Sequence, residues 1–405
     1  MPDRTRYDVV ITGASIAGCA AARLFALAGA RVALVERRPD SAAYKVACTH
    51  QIQSSAVPAI ERLGLAPLIE RAGAVRSRAA AWTPYGGWQR FPADAPPGYG
   101  ITRQTLDPIV RRLATETPGV ESFPGQTVVR LLGDSGRVDG VEVEGPDLVR
   151  RTIEATLAVA ADGRDSTIAR LARVPARVLP HNRFAYFAYW RGVRTPKTEA
   201  RLWLLDPDAA AVFPNEDDVT VIAAVPHRSR LSEFRADPEA AYRRMIGGLS
   251  DGPDLDAAER VSNLIGKLEM PNKMRPAARP GVAFVGDAAL ATDPLFGVGC
   301  GWAFQSAEWL VEETRSAVLG QGDLDLALRR YRRAFLRRLG PHHLQIVDYS
   351  TGRRMRLNER ITFRAAATDP VIGAAVEEFA TRRATFARMF DPRLAARSLR
   401  VGLRP

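Results

Sequence analysis

The sequence predicts an α/β fold in which a parallel, helix-flanked sheet carries an inserted, mostly antiparallel β-sheet and gives way to a helical C-terminal region. Three observations predict it. Short, mostly apolar runs at 7–11, 157–161 and 282–285 each end within two residues of a glycine and lead into a helical pattern, as buried parallel strands do. Between the second and third, four runs rich in Phe, Tyr, Trp and Val (183–193, 201–205, 209–213, 219–225) are broken by D-P-D and P-N-E-D-D, the pattern of a small antiparallel sheet. From Asp323 onward apolar residues recur at helical spacing.

The first strand runs straight into Thr12-Gly13-Ala14-Ser15-Ile16-Ala17-Gly18. A helix of small residues follows (Cys19, Ala20, Ala21, Ala22), then a second strand at 31–35 ending at Glu36. This strand, helix, strand and acid have the length and order of a dinucleotide fingerprint. Gly13 makes the tight turn, Gly18 lets helix and sheet approach, and Glu36 accepts hydrogen bonds from adenosine ribose hydroxyls. Ser15 replaces the middle glycine; it is small and can donate a hydrogen bond. Arg37 and Arg38 follow, either over the adenine or pyrophosphate or as surface charge.

The polar stretch 44–56 has little periodicity, and His50 and Gln53 are its notable groups; it is either a plain loop or a cofactor or substrate lining. Trp82, Tyr85, Trp88 and Phe91, among Gly and Pro, read as an aromatic hairpin. A helix opens at 100–106, and Arg103 at its start either meets pyrophosphate or ribityl oxygens or serves a structural ion pair. Alternating runs over 127–153 predict a three-stranded meander. The strand at 157–161 then ends in Asp162-Gly163-Arg164-Asp165-Ser166, with a helix from Thr167.

The stretch 281–310 is strand, acidic turn (Gly286, Asp287), a loop with Pro294, Gly297, Gly299 and Gly301, then a helix start. A helix start offers unpaired N–H groups and a positive dipole end, suited to phosphate oxygens or an electron-rich ring edge. Asp287 is placed to accept from a polyol hydroxyl. Polar groups from three strand ends thus converge on one sheet edge, where open α/β sheets bind ligands. In the inserted sheet, Tyr186, Tyr189, Trp190, Trp203 and Phe213 are the candidates for a substrate lining. In the C-terminal region Pro341 should break the first helix, His342 and His343 at that break read as surface groups, further helical segments run to Phe390, and the basic tail after Asp391 packs locally.

Composition narrows the function. The 405 residues carry 46% hydrophobic and 25% charged residues, enough for a core in two or three domains. No apolar run is long enough for a spanning helix and the start lacks a signal-peptide pattern, so a cytoplasmic location is expected. The net charge of +12 is nearly all arginine, and no nucleic-acid module is recognisable; it reads as a solvated basic face with room for an acidic carrier protein. Cys19, Cys48 and Cys300 are odd in number and far apart, which argues against a disulfide framework and against a metal site.

With these motifs in order, the chain resembles a class A flavoprotein monooxygenase of the para-hydroxybenzoate hydroxylase type, in the glutathione-reductase-like FAD superfamily. The resemblance spans 7–320 and rests on G-A-S-I-A-G with Glu36, on Asp162-Gly163 with Arg164 and Ser166, and on Gly286-Asp287 with the loop from Asp293-Pro294 to Gly301. It implies a Rossmann-type FAD-binding domain in three parts (1–78, 101–178, 271–320), a substrate domain in two (79–100, 179–270) and a helical region at 321–405. By the resemblance, 13–18 (with Ser15, Ile16 and Ala17) hold the pyrophosphate, Glu36 the ribose, Asp287 the ribityl chain, and Asp162-Gly163 serve both FAD and a transient NAD(P)H. Pro294 and the helix start Gly297, Gly299, Cys300 and Gly301 would face the isoalloxazine. The activity implied is hydroxylation or epoxidation of an apolar or aromatic small molecule of secondary metabolism through a C4a-hydroperoxyflavin. His50 is the one side chain offered as a catalytic, substrate-facing group. Alternatives are a geranylgeranyl-reductase-like flavin reductase or dehydrogenase and a flavin-binding protein without turnover; a halogenase is disfavoured because its W-x-W-x-I-P motif is missing.

Overall fold

The computed structural model describes residues 5–134, 136–385, 387–388 and 391–403. Five strands of the first sheet are mutually parallel, in the spatial order Val282–Phe284, Arg150–Ala160, Thr5–Thr12, Val32–Glu36, Val120–Pro124. Their register positions the site. Thr12 lies opposite both Val35 and Ala160, and Ala160 lies opposite Phe284, so four strands finish level with one another. Gly13, Glu36, Asp162 and Gly286, one or two positions further on, therefore emerge along a single edge.

The helices Ile16–Leu27 and Gly299–Val318 cover this sheet. Small residues permit the approach: a Cβ on Gly18 would lie 1.8 Å from the Gly13 carbonyl oxygen. The meander and the strand expected at 157–161 share one element. Arg150–Ala160 pairs antiparallel with Gly140–Glu144 over 150–154 and parallel with Thr5–Thr12 from Ile153 onward. Its burial alternates at first and becomes continuous over 157–160, where both faces are covered, so a change of surroundings along one strand looks like two strands in sequence.

The second sheet contains Ala185–Arg191, Thr220–Val225, Ala209–Pro214 and Glu199–Leu204 as antiparallel neighbours, extended by Val75–Thr83 in parallel. Successive side chains alternate between its faces. Tyr186, Trp190 and Trp203 share the face that Leu231–Ala236 and Pro238–Gly247 cover with Phe234, Tyr242 and Met245. The indole N–H of Trp190 donates to Tyr242 Oη at 3.1 Å, and that of Trp203 to the Ser250 carbonyl at 2.9 Å.

The C-terminal region differs from expectation at Pro341. Leu324–Ser350 is one continuous helix of 27 residues. Gly340 precedes the proline and has no Cβ to meet its ring, which eases the usual conflict. Because the helix continues, His342 and His343 turn inward and are buried rather than on the surface. Leu357–Ala366, Pro370–Ala380 and Pro392–Gly402 follow, the last packed on the first of the three; Phe390, the expected end of the helical segments, lies outside the described residues. Among the described residues no helix is long and apolar enough to cross a membrane.

Candidate active site

One cavity of about 570 Å³ runs from the carboxyl edge of the parallel sheet to the inner face of the second sheet. Its polar end is built from the strand-end turns. Gly13 adopts φ +105°, and a Cβ there would lie 2.5 Å from the Ala161 carbonyl oxygen, so only glycine fits. The Glu36 carboxylate accepts from the Ala14 N–H at 2.7 Å and the Arg38 N–H at 2.9 Å, which ties the fingerprint turn to the second strand. Ser15, Ile16, Ala17 and Arg37 line the same end. Gly18 does not; its role is the helix–sheet contact described above.

Arg103 lies on the first turn of Arg103–Thr115, capped by the Thr102 hydroxyl. Its guanidinium makes a two-bond pair with Asp107, Nε to Oδ1 at 2.6 Å and Nη2 to Oδ2 at 2.9 Å, and Nη2 also reaches Ser15 Oγ at 2.7 Å. Arg103 is thus both ion-paired and part of the cavity lining. Asp287 is paired with Lys45 at 2.9 Å; burial opposes its charge, but Lys45 holds its carboxyl below the ordinary value. Lys45, Asp107 and Arg111, which donates to the Ala14 and Ala43 carbonyls, are site residues that sequence reasoning missed, because nothing local in the polar stretch 44–56 or the helix face marks them.

Asp162 Oδ2 accepts from the Ile168 N–H at 3.1 Å, while its Oδ1 and Arg164 Nη1 are buried with no hydrogen-bond partner. Both residues line the cavity. An orphan acceptor and an orphan donor beside a glycine turn are what a polyol hydroxyl and a phosphate oxygen would satisfy, so the residues present fit FAD. Gly163, Gly286, Pro294, Gly297, Gly299 and Cys300 complete this end, and a Cβ on Gly299 would meet nothing within 4 Å, leaving the helix start open to the cavity. Gly301 faces away, toward Ala56.

The other end is apolar. Ala185, Phe187, Ala211, Val221, Ala223 and Val225 line it from the sheet, with Met270, Leu290 and Leu295 opposite and Lys267 as the sheet domain's cation. Of the aromatic candidates, Tyr189 and Phe213 belong to this face but do not line the cavity, and Tyr186 and Trp203 are on the opposite, helix-covered face. Strand parity separates the two sets in sequence; which set meets the cavity depends on where the two helices dock.

His50 is buried and does not line the cavity. Its Nδ1 accepts from the Arg103 backbone N–H at 2.7 Å, so Nε2 carries the proton and donates to Tyr189 Oη at 2.7 Å; that hydroxyl in turn donates to the Val46 carbonyl at 3.2 Å. Burial lowers the His50 pKa further. With both nitrogens committed, the imidazole braces the 46–50 stretch against the helix and the sheet, and the expectation of a substrate-facing catalytic histidine is corrected.

The chain is 28% identical over 344 residues to digeranylgeranylglycerophospholipid reductase 2 of Methanothermobacter thermautotrophicus, covering 83% of this chain and 84% of the relative. It is 27% identical over 385 residues to kynurenine 3-monooxygenase of Salinispora tropica, covering 89% and 82%. In fold it is similar to a flavoprotein/dehydrogenase from Cytophaga hutchinsonii, with a TM-score of 0.78 at 16% identity over 93% of each chain. The FAD binding domain family model matches residues 6–337, and the chain therefore belongs to this family of FAD-dependent oxidoreductases.

Proposed function

We propose that the protein is an FAD-dependent, NAD(P)H-consuming monooxygenase that hydroxylates or epoxidises an apolar small molecule. The observation that carries this reading is the continuity of one cavity from the polar strand-end turns to an apolar sheet face. When bound, FAD supplies hydride acceptance from the nicotinamide and activation of oxygen. The chain's own residues then bind, orient and exclude water. Glu36, Ser15 and Arg103 hold the dinucleotide, Asp162 and Asp287 hold polyol hydroxyls, and the first turn of Gly299–Val318 presents backbone N–H groups where negative charge develops on reduction. Ala185, Ala211, Ala223, Val221 and Val225 form a wide wall without hydrogen-bonding side chains, which accepts a broad apolar skeleton and keeps water from the reacting face.

A second reading is a flavin-dependent reductase of an unsaturated chain, favoured by the relatives whose names are reductases of prenylated lipids and of menaquinone. The same apolar wall suits such a chain. One experiment separates the two. The flavin is released and identified, the holoenzyme is reduced anaerobically with NADPH or NADH, and an alkene-bearing aromatic or isoprenoid panel is offered with and without labelled oxygen. Label in the product is expected. Saturation of a double bond under anaerobic conditions establishes the reductase instead, and a protein that neither contains nor takes up FAD overturns both.

A further inference from the structure

Two of the three cysteines, 252 positions apart, meet in the cavity wall with their sulfurs 3.6 Å from each other. Cys48 lies on the stretch braced by His50, whose backbone N–H donates to Cys48 Sγ at 3.3 Å. Cys300 is the second residue of Gly299–Val318. Positive charge surrounds the pair: Arg103 Nη1 is 4.0 Å from Cys300 Sγ, and the Lys45 ammonium beside Asp287 belongs to the same wall. The hydrogen bond from Cys300, with Arg103 and Lys45 behind it, holds the Cys48 thiol well below its ordinary pKa, and the same bond raises that of Cys300. Cys19 is different: it is buried and free, and burial pushes its thiol up to about 12.

The geometry points to a peroxide-oxidisable dithiol, in which Cys48 is the sulfur that attacks hydrogen peroxide and Cys300 resolves it to a disulfide in the wall of the cofactor cavity. In the first step Cys48 sulfur bonds to one peroxide oxygen, the O–O bond breaks, and the departing hydroxide takes the thiol proton and leaves as water. In the second, Cys300 sulfur displaces the oxygen from the Cys48 sulfenic acid, and that oxygen takes the Cys300 proton as a second water. Two electrons leave the sulfur pair and one peroxide is reduced to two waters. Closing 3.6 Å to a bond of about 2.05 Å draws the 46–50 stretch onto the helix start, so oxidation reshapes the cavity at that corner. The inference does not depend on which reaction the cavity performs.

The test uses the full-length protein, with and without its flavin, treated with hydrogen peroxide in stoichiometric amount. The expected result is loss of two hydrogen masses, a digest under non-reducing conditions in which the Cys48 and Cys300 peptides are joined, a Cys19 thiol that still titrates, and reversal by dithiothreitol. In Cys300→Ser, dimedone should label Cys48; in Cys48→Ser, Cys300 should stay unlabelled. Persistence of three free thiols in the wild type, or oxidation of Cys48 to sulfinic acid without linkage, overturns the dithiol. Dimedone labelling of Cys300 in Cys48→Ser overturns the assignment of the attacking sulfur. The wild-type digest decides the main point even where a serine variant folds poorly.

Discussion

Arg103→Met leaves a buried charge without its counter-ion, and the cost can be worked out. Asp107 is 2% exposed, and Arg103 gives it two hydrogen bonds, with only the Lys45 backbone N–H at 3.1 Å beside them. Breaking a buried pair from one side typically costs about 3–5 kcal/mol. At about 2.1 cal/mol/K per residue, a 405-residue chain unfolding in one transition has an entropy of about 0.85 kcal/mol/K, so Tm should fall by about 4–6 °C. Arg103→Met/Asp107→Leu removes both charges and leaves only neutral groups, the Lys45 backbone N–H and the Ser15 hydroxyl, without these partners; most of the lost Tm should return. The assay is thermal unfolding of flavin-free protein, followed by FAD titration of each variant. In the stabilised double variant, FAD affinity should still be lower by about tenfold or more, the worth of one charge-assisted hydrogen bond. Equal destabilisation of single and double variants would refute the unpaired-carboxylate account. Unchanged FAD affinity would refute a cofactor role for Arg103.

Glu36→Gln keeps the side-chain shape but cannot accept two backbone N–H groups as a carboxylate does; FAD affinity should drop by about tenfold, measured by flavin fluorescence, and an unchanged Kd would remove Glu36 from the dinucleotide site. Ala211→Phe fills the apolar end and should suppress substrate turnover while FAD content stays at wild-type level, whereas Trp203→Ala, on the other sheet face, should cost about 3–5 kcal/mol of stability; similar effects of both on turnover alone would contradict the assigned faces. Burial lowers the His343 pKa to about 4, with no partner on either nitrogen, and burial with Arg382 nearby lowers that of His342 to about 4. Folded values below the unfolded 6.5 mean that the unfolded chain binds more protons as pH falls, so stability present above about pH 6.5 is lost progressively toward pH 4. Urea titrations of wild type and His343→Leu should diverge in that window, and a parallel pH dependence would show that His343 does not contribute.

The fold class was legible in the sequence because its signals are local. Apolar runs ending in glycine or acid turns mark 7–11, 157–161 and 282–285 whatever lies around them, and Gly13 is required by a backbone contact two strands make at their ends. The single strand 150–160 was harder, since its two halves differ only in what covers them. The helix through Pro341 is eased by one preceding glycine, and the inward turn of His342 and His343 follows from that continuity.

By itself, then, the sequence determined the parallel sheet, the order of its three strand-end motifs and the edge on which they emerge, because turn geometry, strand burial and helix starts are written within a few residues of each motif. Tertiary structure alone decided that Lys45 pairs with Asp287 across 242 positions, that His50 spends both ring nitrogens on Arg103 and Tyr189, that Cys48 meets Cys300, and that the alanine face of the second sheet, rather than the tryptophan face, lines the cavity. These depend on strand register and on the docking of segments far apart in the chain, and side-chain periodicity defines the two faces of a strand without saying which one another segment will cover.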